Sequence, residues 1–267
     1  MSVPHQFKVT FDKEVFELAP DLFVGLIVAP KINNLGDDMG VNALLTHMEE
    51  EILNSDLKKE TVSDIPTIAA WRRTYSQFGV KPARYYCAAE SLIRRVVEHG
   101  SLPRINMLVD LCNAVSLKSR IPIASCDISS LSELVIRRAE GTENFHPIGK
   151  AEEPESPAAG EIIYADNNGG AHSRRWNWRQ SDQVKTTRES TTMLFTVEAV
   201  HEEAKVLVEA TTSLLNKLLQ PYVLEESTQV AFIHPGVASH TFQLNSKEGY
   251  LEQEQSNYTP ANEEWLH

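Results

Sequence analysis

The stretch PRINMLVDLCNAVSLKSRIPIASCDISSL, residues 103–131, changes its hydrophobic period half-way along, from a helix to a strand. Asn106 offers a side-chain oxygen to the unpaired N–H groups of a helix start. Met107, Leu108, Leu111 and Val115 then recur at three- and four-residue spacing, with Cys112 beside them, as one apolar helix stripe. Pro122 has no N–H to continue that helix, so it stops by Arg120. The run 121–126 that follows reads as a strand.

Outward from this core the pattern continues. Residues 7–17 and 22–29 (LFVGLIVA) read as strands, the second apolar on both faces and therefore buried in a sheet. Helical spacing covers 38–58, a second helix starts at Ser63 or Asp64 before Pro66 and ends near Gly79, and a third runs over 83–99 with Gly100 as its cap. Strands are predicted at 134–139, 161–165 and 193–200, with a loop at 151–160 and an amphipathic helix at 202–219. The polar stretch 171–192 predicts a strand or two and a long loop. Beyond residue 221 the chain is acidic, with VAFIH and HTFQL as two short strands and a mobile end of about fifteen residues. Strands, then helices, then strands with a closing helix predict an α+β fold of layered mixed β-sheets with packed helices. Residues 1–220 are expected to form one domain and 221–267 an acidic extension.

Apolar residues make up 42% of the 267 and charged residues 23%, an ordinary soluble balance. No run approaches the roughly 18–20 apolar residues that span a bilayer, and the N-terminus lacks the pattern of a signal peptide. Cys87, Cys112 and Cys126 show no zinc spacing, which suits reduced thiols in a cytoplasmic protein. The net charge of −12 is unevenly spread: residues 1–66 carry −7, residues 221–267 carry −6, and 67–220 carry +1 and every arginine. Arginine is the planar donor suited to phosphate and to stacking on bases, although pairing with local carboxylates is an equal reading.

No phosphate-binding glycine loop, HExxH pair or GxSxG elbow occurs, so no metal, cofactor or covalent nucleophile is expected. In 160–195, Arg175, Trp176, Asn177, Trp178, Arg179 and Gln180 alternate. As a strand they place both tryptophans on one face and the arginines on the other. Such a face can stack a base, while burial statistics favour two core tryptophans. Cys112 and Asn113 read either as a polar pair lining a cleft or as a buried thiol beside a surface amide.

These residues carry a family resemblance. The stretch 103–131 resembles P-x-x-N-x-V-D-x-x-N-Y-V-x-x-x-x-x-x-P-x-H-A-F-D-x-x-x-L of the B3/B4 module, in which the phenylalanyl-tRNA synthetase beta subunit hydrolyses mischarged tRNA. LVIRRAEGTENF, EIIYADNNGG and TRESTTMLF are similar to its following strand, its VIAD-x-x-G hairpin and its approach to the last strand. The resemblance spans about 66–220. Trp71 to Pro82, Ala89 to Arg95 and Arg174 to Ser181 resemble the free-standing branch of that family.

The resemblance implies a tRNA-binding, trans-editing deacylase that hydrolyses the ester at the aminoacylated 3′ end of mischarged tRNA, with no DNA or membrane partner and no ligase activity of its own. Its Thr-Asn pair falls on Cys112-Asn113, its histidine on Ala124, its glycine-rich pocket wall on Arg175 to Trp178, and its acidic specificity residue near Glu198 or Thr196. Catalytic positions are then Asn113, Asn177 and Cys112. Trp176 or Trp178 would stack on the terminal adenosine, Arg175 or Arg179 would hold phosphate, and Glu198 would meet the amino group. A non-catalytic module that binds tRNA, RNA or amino acid is the alternative, and a tryptophan-lined metabolite sensor a third.

Overall fold

The computed structural model describes residues 6–225 and 227–244. Its centre is the pair of strands Leu22–Ala29 and Met193–Val200, antiparallel in register from Leu22↔Val200 to Ala29↔Met193. All sixteen residues but Gly25 carry side chains, and each strand is buried along its whole length. Burial on both faces is why Leu22–Ala29 reads as an unbroken apolar run and not as alternation, while Thr196 and Glu198 interrupt its partner. Gln229–Ile233 and Ile123–Asp127 complete this four-stranded sheet, in the order Gln229–Ile233, Leu22–Ala29, Met193–Val200, Ile123–Asp127.

One face of the sheet, with Ile27, Phe195, Val197 and Ala199, packs on helices Met107–Ser119 and Ala204–Leu219. The closeness of the second helix explains Gly25: a Cβ there would stand 2.0 Å from Thr212 Oγ1. The other face, with Val24, Leu26, Val28 and Leu194, meets Phe7, Val9, Ile136, Ile162 and Tyr164 in a larger core. These last belong to a six-stranded sheet ordered Ser239–Gln243, Gln6–Phe11, Glu133–Arg138, Ile162–Ala165, Gly170–Ala171, Asn144–Phe145. Gln6–Phe11 runs parallel to Glu133–Arg138, and Asn144–Phe145 parallel to Gly170–Ala171, whereas the other ladders are antiparallel. The fold is α+β, with mixed sheets layered against helices.

The helix Met107–Ser119 starts as its sequence dictates: the Asn106 side chain accepts from the Val109 N–H at 3.2 Å, and Arg120, at φ 58°, ends it. Helix Pro66–Gln77 has its proline in the first turn, and Gly100, at φ 83°, caps helix Ala88–His99. Two expectations need correction. The first strand stops at Phe11, because Lys13–Leu18 coils into a short helix that buries Val15 and Phe16. The helix expected from residue 83 begins at Ala88, because Lys81–Tyr85 turns back on itself with Arg84 and Tyr85 N–H groups on the Lys81 carbonyl. Residues 223–225 and 227–244, grouped above with the acidic extension, add Gln229–Ile233 and Ser239–Gln243 to the two sheets, with Ile233 and Phe242 in the larger core. The mobile end expected of the last fifteen residues lies outside the described residues. No helix among the described residues is long and apolar enough to cross a membrane.

Candidate functional site

A cleft of about 230 Å³ opens beside the edge strand Ile123–Asp127. Two walls of different construction enclose it. The regular wall comes from helix Met107–Ser119, which supplies Cys112 and Asn113, and from the four-stranded sheet, which supplies Ala124, Cys126, Thr196 and Glu198. Strand alternation puts Thr196 and Glu198 on one face, and register sets Ala124 directly beside Thr196. The irregular wall is the segment 164–180, which supplies Tyr164, His172, Trp178 and Arg179.

Glu198 is 2% exposed and accepts three hydrogen bonds: from the Tyr164 hydroxyl, from Trp176 Nε1 at 3.1 Å and from Asn177 Nδ2 at 2.8 Å. Asn177 Oδ1 in turn accepts the Tyr75 hydroxyl at 2.8 Å. Burial pushes the Glu198 carboxyl above the usual range, and the bonds from Asn177, Tyr164 and Trp176 offset only part of that. Burial also pushes Tyr75 and Tyr164 well up, so both stay phenols that donate. A carboxylate has about four acceptor positions. Oε1 takes two of the three donors and Oε2 one, which leaves a position on Oε2.

Asn113, carried by the helix of the regular wall, is half-buried, and its amide makes no hydrogen bond among the described residues. Cys112 is a buried thiol whose pKa burial drives far up, so it is neutral and inert as a nucleophile. Cys126, pushed by burial to about 12, accepts from Gln180 Nε2 at 3.1 Å.

The alternating strand expected through 175–180 is absent. Ser173–Arg174 and Arg179–Gln180 pair antiparallel, and the four residues between them form a turn in which Arg175 (φ 46°) and Trp176 (φ 65°) are left-handed. Each such residue costs about 1–2 kcal/mol without a glycine. Tertiary bonds hold the turn: Glu161 Oε1 accepts the Arg175 N–H at 2.7 Å, and the Ile162 carbonyl accepts that of Trp176 at 2.6 Å. The turn separates the tryptophans. Trp176 is fully buried, edge-on to Trp71 at 5.2 Å, and has no free face for a nucleobase. Trp178 stays part-exposed at the rim, 4.8 Å from the Tyr85 ring, with the Arg179 guanidinium over it at 4.3 Å and that of Arg175 at 4.7 Å.

Local pairing consumes most of the arginines: Arg72 and Arg94 on Glu90, Arg104 on Glu49, Arg137 on Glu143, Arg138 on Glu14, Arg174 on Glu161, Arg188 on Asp37. Arg84 and Arg179, both exposed, engage no carboxylate among the described residues and flank the Tyr85–Trp178 pair. Thus Cys112, Asn113, Asn177, Trp176, Trp178, Arg179, Thr196 and Glu198 all line one cleft, while Arg175 sits behind its rim over Tyr85 at 3.9 Å.

The B3/4 domain family matches residues 70–216, more than half of the chain and every lining residue of the cleft. The chain belongs to the B3/4 domain family. Among solved structures, this B3/4 domain protein is similar to an N-terminal fragment of the phenylalanyl-tRNA synthetase beta subunit from Pyrococcus horikoshii. Identity is 12% and the TM-score 0.42, over 84% of this chain and 50% of that one, so the chain spans half the length of that fragment. No curated protein matches it.

Several residues in and around the B3/4 cleft escaped sequence reasoning. Tyr75 and Tyr164 look like core aromatics until the fold aims their hydroxyls at Asn177 and Glu198. Tyr85 resembles a helix residue but ends a turn at the rim. His172 is one scattered histidine in sequence, and only the hairpin brings it to Asp166. The quoted run YADNNGG held the one available signal, since it places Tyr164 and Asp166 around a tight turn.

Proposed function

We propose that this protein is a trans-editing aminoacyl-tRNA deacylase, which takes the aminoacylated 3′ end of tRNA into the cleft and hydrolyses the ester of a mischarged amino acid. The observation that carries the reading is the free amide of Asn113 and the buried carboxyl group of Glu198 lining one small cleft in a B3/4 domain. The cleft is below the roughly 300–1,000 Å³ of pockets that enclose drug-sized ligands. It therefore suits an aminoacyl group, with the nucleoside left at the mouth. There Trp178 and Tyr85 offer aromatic surface, and Arg84 and Arg179 offer charge for phosphate. Glu198 Oε2 keeps one acceptor position for the substrate ammonium, and Asn177 and Tyr75 hold that carboxylate in place. The Asn113 amide donates to the ester carbonyl as it gains charge. An ester is already activated, so positioning and a water molecule supply the chemistry without a covalent intermediate.

The test is deacylation of a panel of mischarged tRNAs by the purified protein, with Asn113→Ala beside it. Release of at least one amino acid by the wild type, much reduced in the variant, supports the reading. No release from any tRNA refutes it. A second reading, tRNA binding without hydrolysis, is favoured by the three protein donors already on Glu198. It predicts salt-sensitive tRNA binding with every ester left intact.

A further inference from the structure

Asp166 and His172 form a second polar constellation on the irregular wall, built by the turn between Ile162–Ala165 and Gly170–Ala171. Asp166 Oδ1 accepts the N–H groups of Asn168 and Gly170, each at 2.8 Å, which closes the turn. Gly170 permits it, because a Cβ there would stand 2.9 Å from Asp166 Oδ2. That second oxygen lies 3.0 Å from His172 Nε2. Although burial pushes the Asp166 carboxyl up, the Gly170 N–H, His172 and the Asn168 N–H hold it below the usual range, so it is an acceptor only. Nε2 therefore carries the proton, and Nδ1 keeps a lone pair.

His172 lines the cleft, is 4% exposed, and its Nδ1 has no hydrogen-bond partner. An unpaired buried nitrogen disfavours the structure unless something else donates to it. Burial lowers the imidazole pKa, Asp166 pulls it back in part, and His146 nearby adds to the lowering, which leaves the ring neutral at pH 7. The other titratable or charged groups that line the cleft are Tyr164 and Arg179 on the same wall, and Cys112, Cys126 and Glu198 on the regular one.

We propose that His172 is the general base of the deacylation, with Asp166 as its positioning residue. The inference rests on the ester-hydrolysis reading above. Nδ1 takes a proton from water as the water oxygen bonds to the ester carbonyl carbon. The tetrahedral intermediate then collapses with cleavage of the bond to the ribose oxygen, which receives that proton from His172. The products are the free amino acid and the terminal hydroxyl of tRNA. Nδ1 has no partner among the described residues, as suits a base whose partner arrives with the substrate.

The test measures kcat and KM for a mischarged tRNA against pH in wild type, His172→Gln, Asp166→Asn and Glu198→Gln, with ¹⁵N NMR of the wild-type imidazole. The proposal expects His172→Gln to lower kcat roughly 100- to 10,000-fold with KM little changed. The wild-type acid limb, lying below the ordinary histidine pKa, should vanish in His172→Gln and persist in Glu198→Gln. NMR should show the neutral Nε2-protonated tautomer at pH 7, which needs no variant to fold. Turnover in folded His172→Gln within twofold of wild type, or an Nδ1-protonated or doubly protonated ring, overturns the role of His172 alone. Absence of turnover in the wild type overturns the deacylase reading with it.

Discussion

The two walls of the cleft are held by different forces. The regular wall is helix Met107–Ser119 and the strand pair Ile123–Asp127 and Met193–Val200. Backbone ladders and apolar contacts fix it, and Asn113 is carried there without any bond of its own. The irregular wall, 164–180, has strands only two to four residues long. Side-chain bonds fix it: Trp176 and Asn177 on Glu198, Arg174 and the Arg175 N–H on Glu161, His172 on Asp166. A substitution in the first wall can remove chemistry and leave the fold. In the second, chemistry and conformation depend on the same atoms.

Trp176→Ala should break that contrast most severely. It removes a fully buried indole packed on Trp71 and strips Glu198 of a donor, and should cost about 3–5 kcal/mol in urea denaturation. Asn113→Ala should do the reverse. Stability should stay within about 0.5 kcal/mol, because the amide has no partner, while deacylation falls roughly 100- to 1,000-fold.

The same contrast sets what a sequence can disclose. The strand 193–200 and the helix from Asn106 follow from period and capping, which are local, so the elements of the regular wall were legible, while Cys112, Asn113 and the choice of Glu198 or Thr196 were singled out only by the family resemblance. The turn at 175–178 was not legible. RWNWRQ alternates as a strand should, and nothing local overrides that pattern. Glu161 and Ile162, more than a dozen residues upstream, bend the chain and drive Trp176 inward. The pairing of Asp166 with His172 depends on the hairpin register and on the missing Cβ of Gly170, again a tertiary fact.

Acid should act on the walls in opposite directions. Asp166, with its pKa held down in the folded state, contributes stability above pH 3.8 that is lost as pH falls through its lower folded value. Glu198, with its pKa raised, contributes stability below pH 4.5 that is lost as pH rises through its higher folded value. Denaturation curves from pH 2 to 8 check this. Asp166→Asn should flatten the acid-side fall, and Glu198→Gln should flatten the loss above pH 4.5. The smallest effect belongs to the rim. Arg179→Ala should weaken tRNA binding modestly and reduce the slope of log K against log salt by about one, with no change in stability.

The most direct measurement is a crystal structure of the protein soaked with a nonhydrolysable aminoacyl-adenosine amide. The aminoacyl group should lie inside the cleft, its carbonyl roughly 3 Å from the Asn113 amide and its ammonium on Glu198 Oε2, with the adenine against Trp178 at the mouth. A ligand seated elsewhere, or a cleft that admits none while the analogue binds in solution, would contradict the account.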